Sequence, residues 1–511
     1  MASRRDELNA YTFAKRRLVA QFLRPGGTGS DEGAPRPLRA VVPGAVVGAV
    51  ILAGFGAWGM FRPVAPRDWD TPYRHVIVAS RSTTRYVVLR TDGRKQLHPV
   101  LNMSSAKLLL DPDGGEDKVI GVGEDVLDSG RIPHGATLGI PYAPDRLPDG
   151  REAGAKKRWA VCQRPVEGGR AIQRAAFVLA ARDLKRTEGK NRLRGGELIH
   201  VEGPGPDRTR YVVDAEGRAY PVRKRELLLR TLTDNRAPQR VSAAWLGTLH
   251  LGDTIDFPAL PGIPGGDAGV PGRLPHRANR VGMVLAATSG TRTRRYVVLP
   301  GRVAPVSDFV AKLLLNSRAL TGLDQGGTAR HVSAGAFVPG TPFGQDLDWP
   351  THEPRPVNSA STAPQSRNTV CAVLRGVAPG SGTTMLSTWA GTRFPATLPT
   401  GSSSAYVTPG SGQLFRQFKG VATGSGPVFL VTDTGLRYAM QSNGDSVRDD
   451  SGIGESGPAR ERRRRRLEAR QAQSRLGYAN VVPAPVPAAW SGFLPTGPRL
   501  STGAARQPQG S

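Results

Sequence analysis

The sequence predicts a bitopic membrane protein. It would consist of an N-terminal amphipathic helix, one transmembrane helix, and an α+β extracytoplasmic region with four β-hairpin/helix repeats around a disulfide-linked central β domain. Three observations predict it: an uncharged run from Ala40 to Phe61, one apolar wording that recurs four times, and two cysteines placed in the long gaps between recurrences. A chain of 511 residues is long enough for several compact units, and its 63 glycines and 43 prolines make it rich in turns. The formal net charge of +28 suits attraction to anionic polymers or lipid head groups.

The N-terminal 39 residues come first. Ser3 followed by Asp6 has the form of a capping box, and Leu8, Tyr11, Leu18, Val19 and Phe22 fall at helical spacing before Pro25 and Gly26 stop the pattern. Tyr11, Leu18 and Phe22 form an apolar stripe, while Arg16 and Arg17 face acidic groups or lipid. Contact with anionic inner-leaflet lipid and docking to a cytoplasmic partner both fit this helix.

Residues 40–61 carry no charge and are bracketed by Arg39 and Arg62. As a helix rising about 1.5 Å per residue, the run would span roughly 33 Å, enough for a bilayer core. A buried core helix is the alternative. A cleaved signal peptide fits poorly, because a long segment precedes the run and no small-x-small site follows it. Basic residues outnumber acidic ones before the run, whereas Arg62 and Arg67 are offset by Asp68 and Asp70 after it. The N-terminus is therefore expected in the cytoplasm and everything beyond the run outside. Gly44 and Gly48 make a small-xxx-small seam on which another helix could pack.

Beyond the run the chain aligns with itself. Tyr86, Tyr211, Tyr296 and Phe429 each open a short apolar run (YVVL, YVVD, YVVL, FLVT), followed by a Gly-containing turn and a second apolar stretch ending near Val100, Val222, Val306 and Met440. Each is a hairpin signal. Another apolar run lies upstream of each (HVIVA, ELIHV, RVGMVLA, QLFRQF), and a Leu-rich helix follows three of them at Ala106–Leu110, Arg225–Leu229 and Ala311–Leu315. A unit of about three strands and a helix buries too little apolar area to stand alone, so the units must pack together. Their spacing is too irregular for a solenoid.

The cysteines sit in "WAVC", ending at Cys162, and "TVCAVL", containing Cys371. An even count outside the membrane favours one disulfide, with two buried free thiols as the alternative. A bridge would close a loop of 371 − 162 = 209 residues, giving at most about 5 kcal/mol in the chain-entropy model. "VSAAWLGTL" at Val241–Leu249 matches "VPAAWSGFL" at Val486–Leu494, with an insertion before the second copy that holds Arg462–Arg466. That arginine run reads either as a solvated spur or as a binder of anionic wall polymer or lipid.

The resulting division is 1–39 cytoplasmic helix and linker, 40–61 membrane helix, 62–150 first repeat, 151–194 and 351–395 central domain, 195–275 second repeat, 276–350 third repeat, 396–500 fourth repeat with an insertion at about 441–480, and 501–511 tail. Catalytic signals are missing. No Gly-rich loop ends in Lys and Ser/Thr, and the histidines, His75, His98, His134 and His200 among them, lack metal-ligand spacing. "GSSSA" from Gly401 lacks the last glycine of a nucleophile elbow. The "LPTG" strings at Leu398 and Leu494 lack the rest of a sortase signal. No catalytic residue, cofactor or metal is expected, and an outward basic bulk with few aromatics argues against nucleic acid.

The opening "ASRRDELNAYTFAKRRLVAQFLRPG", the apolar run, "TRYVVL" with "LHPVLNMSSAKLLL", the "WAVC" and "TVCAVL" pair, and "VFLVTDTGLRYAM" together resemble the EccB family, a membrane component of actinobacterial type VII (ESX) secretion systems. The resemblance covers nearly the whole chain. It implies four extracytoplasmic repeats around a disulfide-bonded central domain, self-association, and membership of a complex with an EccC-type ATPase, EccD, EccE and a mycosin protease. The arginine-rich insertion departs from the family pattern. On this reading the protein is a structural and assembly subunit of the secretion membrane complex, joining cytoplasmic components to an outer repeat platform. An envelope-polymer-binding anchor is the alternative. Nucleotide hydrolysis, proposed for the family, stands third because no Walker motif is present.

Overall fold

A computed structural model describes residues 4–23, 38–60, 65–91, 93–111, 118–166, 171–399, 404–440 and 472–509. Ser3, Pro25, Gly26 and the Arg462–Arg466 run lie outside the described residues.

Two helices come first, α1 (Arg4–Leu23) and α2 (Leu38–Met60). The expectation of a bitopic protein with one transmembrane helix is corrected here: among the described residues no helix is long and apolar enough to cross a membrane. Pro43 removes a backbone donor inside α2, and Gly44, Gly48, Gly54 and Gly56 add no apolar side chain to its surface.

The rest of the chain builds five sheets, four of which share one topology. In chain order the strands are β1 (His75–Ala79), β2 (Arg85–Thr91), β3 (Arg94–Val100) and β4 (Lys118–Val122) in unit 1, then β5 (Arg158–Pro165) and β6 (Ile172–Leu179). Unit 2 holds β7 (Glu197–Glu202), β8 (Arg210–Val213), β9 (Arg218–Val222), β10 (Gln239–Arg240) and β11 (His250–Leu251). Unit 3 holds β12 (Val284–Ser289), β13 (Arg292–Leu299), β14 (Arg302–Val306) and β15 (Arg330–Ser333). After β16 (Arg355–Pro356) come β17 (Thr369–Val377), β18 (Thr384–Gly391) and β19 (Ala405–Val407). Unit 4 holds β20 (Gly412–Phe418), β21 (Val428–Thr432), β22 (Arg437–Ala439) and β23 (Ala484–Pro487).

In every unit the first three strands form an antiparallel meander, and the fourth, arriving after a helical segment, pairs parallel with the first. The turn between second and third strands carries Gly93, Gly217, Gly301 or Gly435, with φ of 75°, 80°, 70° and 81°. A left-handed turn position is what glycine occupies without a Cβ penalty.

In units 1 to 3 a third-strand proline stands opposite the tyrosine that opens the apolar run of the second strand. Tyr86 pairs with Pro99, Tyr211 with Pro221 and Tyr296 with Pro305, and in unit 4 Phe429 pairs with Ala439. Proline suits this strand because its other edge is met only by a short parallel segment. That segment takes the carbonyl: the N–H groups of Leu138, Ile255, Phe343 and Leu500 donate to the oxygens of Pro99, Pro221, Pro305 and Ala439 at 2.8–2.9 Å. Each unit is thus larger than three strands and a helix. The extra pairings are parallel and come from distant sequence, which period-2 patterning does not reveal.

The helices that follow the third strands are α3 (Met103–Leu109), α6 (Glu226–Thr233) and α8 (Asp308–Leu315). Between the first two in chain order lie α4 (Glu124–Leu127) and α5 (Gly150–Gly154), and α7 (Ala243–Leu246) precedes α8. Their apolar faces pair the units. α3 packs with Tyr438, Met440, Leu476 and Tyr478 of unit 4 in one core, and Leu228 and Leu232 of α6 share another with Phe309 and Leu313 of α8. Unit 1 therefore joins unit 4, and unit 2 joins unit 3.

Between the two pairs lies the central sheet, in the order β18-β17-β5-β6-β19. One face carries a core shared by Trp159, Val161, Val370 and Ala372 of this sheet, by Ile199, Val213 and Trp245 of unit 2, and by Phe415, Val431 and Trp490 of unit 4. The spatial order is 1, 4, centre, 2, 3. The chain reads as unit, hairpin, unit, written twice. AKLLL occurs in units 1 and 3, the AAW motif in units 2 and 4, and one cysteine in each central hairpin.

Candidate assembly site

The centre is clamped covalently. Cys162 on β5 and Cys371 on β17 are directly opposed in an antiparallel pair and form the disulfide, with Cα atoms 4.0 Å apart. Both are fully buried beneath Phe177, Val373 and Trp389. On the other face the second unit is fastened by hydrogen bonds. Trp245 donates its indole N–H to the Val161 carbonyl at 3.1 Å, and Gln163 accepts from the Ser242 N–H at 2.9 Å while its amide donates to the Ser242 hydroxyl. Unit 4 is held by Trp159, whose indole N–H donates to Gln413 Oε1 at 2.9 Å and whose ring stands edge-on to Phe415.

The two AAW turns meet at a cleft of about 630 Å³ lined by Ala244 and Gly247 of α7 and its turn, Ala489 and Gly492 of the equivalent turn, Ile172 and Arg174 of β6, Ser404 and Phe493. The matching motifs are thus two copies of one fitting, both packed on the same face of the central sheet. Sequence reasoning found the match but not that both copies face one cleft. The signal was the recurrence of small residues at equivalent positions.

A buried polar chain seals unit 2 to the segment leading back to the centre. Asn358 accepts from the His200 N–H at 2.8 Å and donates to the His200 carbonyl and to Gln239, whose amide reaches the Asn368 carbonyl at 2.8 Å. His200 Nδ1 bonds the Arg236 carbonyl at 3.0 Å while Nε2 is buried without a protein partner. Burial pushes the His200 imidazole down to about 4. Asp183 ties the segment after β6 to β19. Burial alone would raise its carboxyl, but hydrogen bonds from Arg186, Thr408 and Tyr406 hold it below the usual range.

The residues singled out for contact lie away from this centre. On α1 Tyr11, Leu18 and Phe22 are 70%, 69% and 87% exposed, and Arg16 and Arg17 are exposed beside them. Gly44 and Gly48 on α2 face open space, with nothing within 4 Å of an added Cβ. Leu494 of the second LPTG string is core, and the serines of GSSSA lie at 402–404, of which the structure describes Ser404. Among the described residues no group of three His, Cys, Asp or Glu could hold a metal.

Across residues 1–510 the sequence matches the family described as "Type VII secretion system ESX-1, transport TM domain B". The chain belongs to the EccB family. It is similar to the ESX-3 secretion system ATPase EccB3 of Mycolicibacterium smegmatis, 27% identical over 437 residues that cover 81% of this chain and 76% of that one. Its fold is similar to a chain of an intact ESX-5 inner membrane complex, with a TM-score of 0.55 at 20% identity, covering all of this chain and 96% of the other. It is also similar to a chain of the EccB3 dimer from the ESX-3 core complex, with a TM-score of 0.52 at 23% identity, covering 84% and 100%. As an EccB-family chain it is a structural subunit of the type VII secretion membrane complex, and is associated with the membrane through it.

Proposed function

We propose that this EccB-family chain organises the complex by joining a cytoplasmic contact made by α1 to an extracytoplasmic platform made by the five sheets. The observation that carries the reading is the exposed stripe of Tyr11, Leu18 and Phe22 on a helix that buries none of them. Covering three such side chains contributes roughly 5 kcal/mol before ordering costs, enough to hold a partner. The buried disulfide supports an oxidising location for the sheets. The cytoplasmic partners we assign are an EccC-type ATPase and EccD. EccE, a mycosin and further copies of this chain complete the assembly, in keeping with the dimer to which its fold is similar.

Leu18→Asp combined with Phe22→Asp tests this. The doubly substituted protein is expected to keep the folded five-sheet body yet to lose copurification with the ATPase and to stop export. Retained copurification and export would reduce α1 to a lipid contact. A second reading, attachment to anionic envelope polymer, is favoured by the net charge of +28 and by exposed Arg292, Arg294 and Arg330 in unit 3. Wall-polymer pulldown by the purified sheets tests it. Nucleotide turnover in the same preparation tests the activity that the relatives' names carry.

A further inference from the structure

Three arginines converge on one carboxylate where the central sheet meets the lead-in to unit 2. Glu188 Oε1 accepts from Arg158 Nη1 at 2.5 Å and from Arg375 Nη1, while Oε2 accepts from Arg192 Nη1 at 3.0 Å. Arg158 opens β5, Arg375 sits at the irregularity of β17 between Leu374 and Gly376, and Arg192 follows the short helical turn Gly189–Asn191. Arg375 also donates from Nε to the Ser387 hydroxyl at 2.7 Å, and Arg158 to the Leu184 carbonyl at 3.3 Å.

The charges do not balance. Three guanidinium groups against one carboxylate leave two positive charges in a cluster where the Arg158 and Arg375 side chains are 18% and 16% exposed. Glu216, the next carboxylate, lies within electrostatic reach of Arg192. Arg375 Nη2 is buried with no protein partner, an unmade hydrogen bond on a cation. Arg192, 38% exposed, and Glu188, 31% exposed, are the members of the cluster most open to solvent.

We propose that this cluster is an oxyanion site, built for a phosphate dianion, free or as a phosphomonoester, that bridges the guanidinium groups Glu188 leaves unsatisfied. A tetrahedral dianion matches both the surplus charge and the several N–H donors left over, which a single carboxylate does not. Burial and the neighbouring Arg375 charge both hold the Arg158 guanidinium below its ordinary value, so a bound anion relieves repulsion already present. Because Glu188 and Arg375 lie 187 positions apart, occupancy would tighten the hold of β5 and β17 on the segment that leads from β6 to unit 2.

The test uses the purified full-length chain and its thermal unfolding midpoint. Inorganic phosphate should raise the midpoint saturably, half-effect at about 1 mM or below, while chloride and acetate at matched ionic strength should not. Arg192→Gln, at the open side, should weaken the phosphate response at least tenfold without preventing folding. Glu188→Gln removes the internal carboxylate, so phosphate should bind more tightly and restore the midpoint that substitution lowers. A response to AMP at lower concentration than to phosphate assigns a phosphomonoester, and a response to phosphate alone assigns the free anion. Equal shifts with all anions, an undiminished response in Arg192→Gln, or a Glu188→Gln protein that phosphate does not restore would each overturn the proposal.

Discussion

Cys162 lies directly opposite Cys371 across the β5/β17 pair, and the two belong to equivalent hairpins of a chain that repeats its own plan. The bridge closes 209 residues, a span that includes all of units 2 and 3. Cys162→Ser and Cys371→Ser should each lower stability by about 2–4 kcal/mol, with the double substitution adding little, because either one opens the same loop. Chemical denaturation with thiol counting under denaturing, unreduced conditions measures this. Labelling of both thiols in the unsubstituted protein would exclude the bridge.

The paired tryptophans should both be costly to lose. Trp245 and Trp490 are 0% and 1% exposed in one shared core. Trp245→Ala and Trp490→Ala should each cost about 3–5 kcal/mol, with Trp245→Ala also leaving the Val161 carbonyl without its donor. A denaturation midpoint near that of the unsubstituted protein for either variant would show that the motif does not hold its unit to the centre.

Glycines in the same turn position should differ in a predictable order. Gly93 faces open space, so Gly93→Ala carries the left-handed backbone penalty alone, about 1 kcal/mol. In Gly217→Ala the new Cβ would stand 2.7 Å from Leu386 Cβ on the central sheet, and that clash adds to the same penalty. Equal losses in the two variants would mean the central sheet gives way freely at Leu386.

His200 should make the body acid-sensitive. Its folded value of about 4 lies below the ordinary 6.5, so protons bind the unfolded chain more readily. The contribution is therefore complete above pH 6.5 and is lost as pH falls towards 4, by up to about 3 kcal/mol. The difference in stability between the unsubstituted protein and His200→Gln, followed over that window, isolates the histidine from the carboxylates. A constant difference would count against it.

Legibility in the sequence followed distance along the chain. The runs opened by Tyr86, Tyr211, Tyr296 and Phe429 all lie on second strands, because strand alternation and a glycine turn are local signals. The cysteine pairing was readable because the chain holds two. Apolarity alone misled at Ala40–Phe61, since among the described residues no helix is both long and apolar enough to cross a membrane. The order of the units was not readable, since it is set by the shapes of the helix faces at Leu228, Leu313 and Met440 rather than by a pattern. The Arg158, Glu188, Arg192 and Arg375 cluster left no trace either, being drawn from both central hairpins.

The pairing of unit 1 with unit 4 places the chain's beginning and its end on one arm. Residues 494–509 leave unit 4 and cross to unit 1, where Pro508 bridges Leu138 and Gln509 Nε2 donates to the Gly139 carbonyl at 2.9 Å. The arginine-rich insertion, too, joins the third and fourth strands of unit 4. The other arm is strapped in the same way: after unit 3 the chain crosses to unit 2, where β16 pairs with β7 and Asp348 meets Arg218. Each outer unit is thereby bound to its inner one by a crossing segment as well as by helix packing, so a load on either arm reaches the central sheet through two connections.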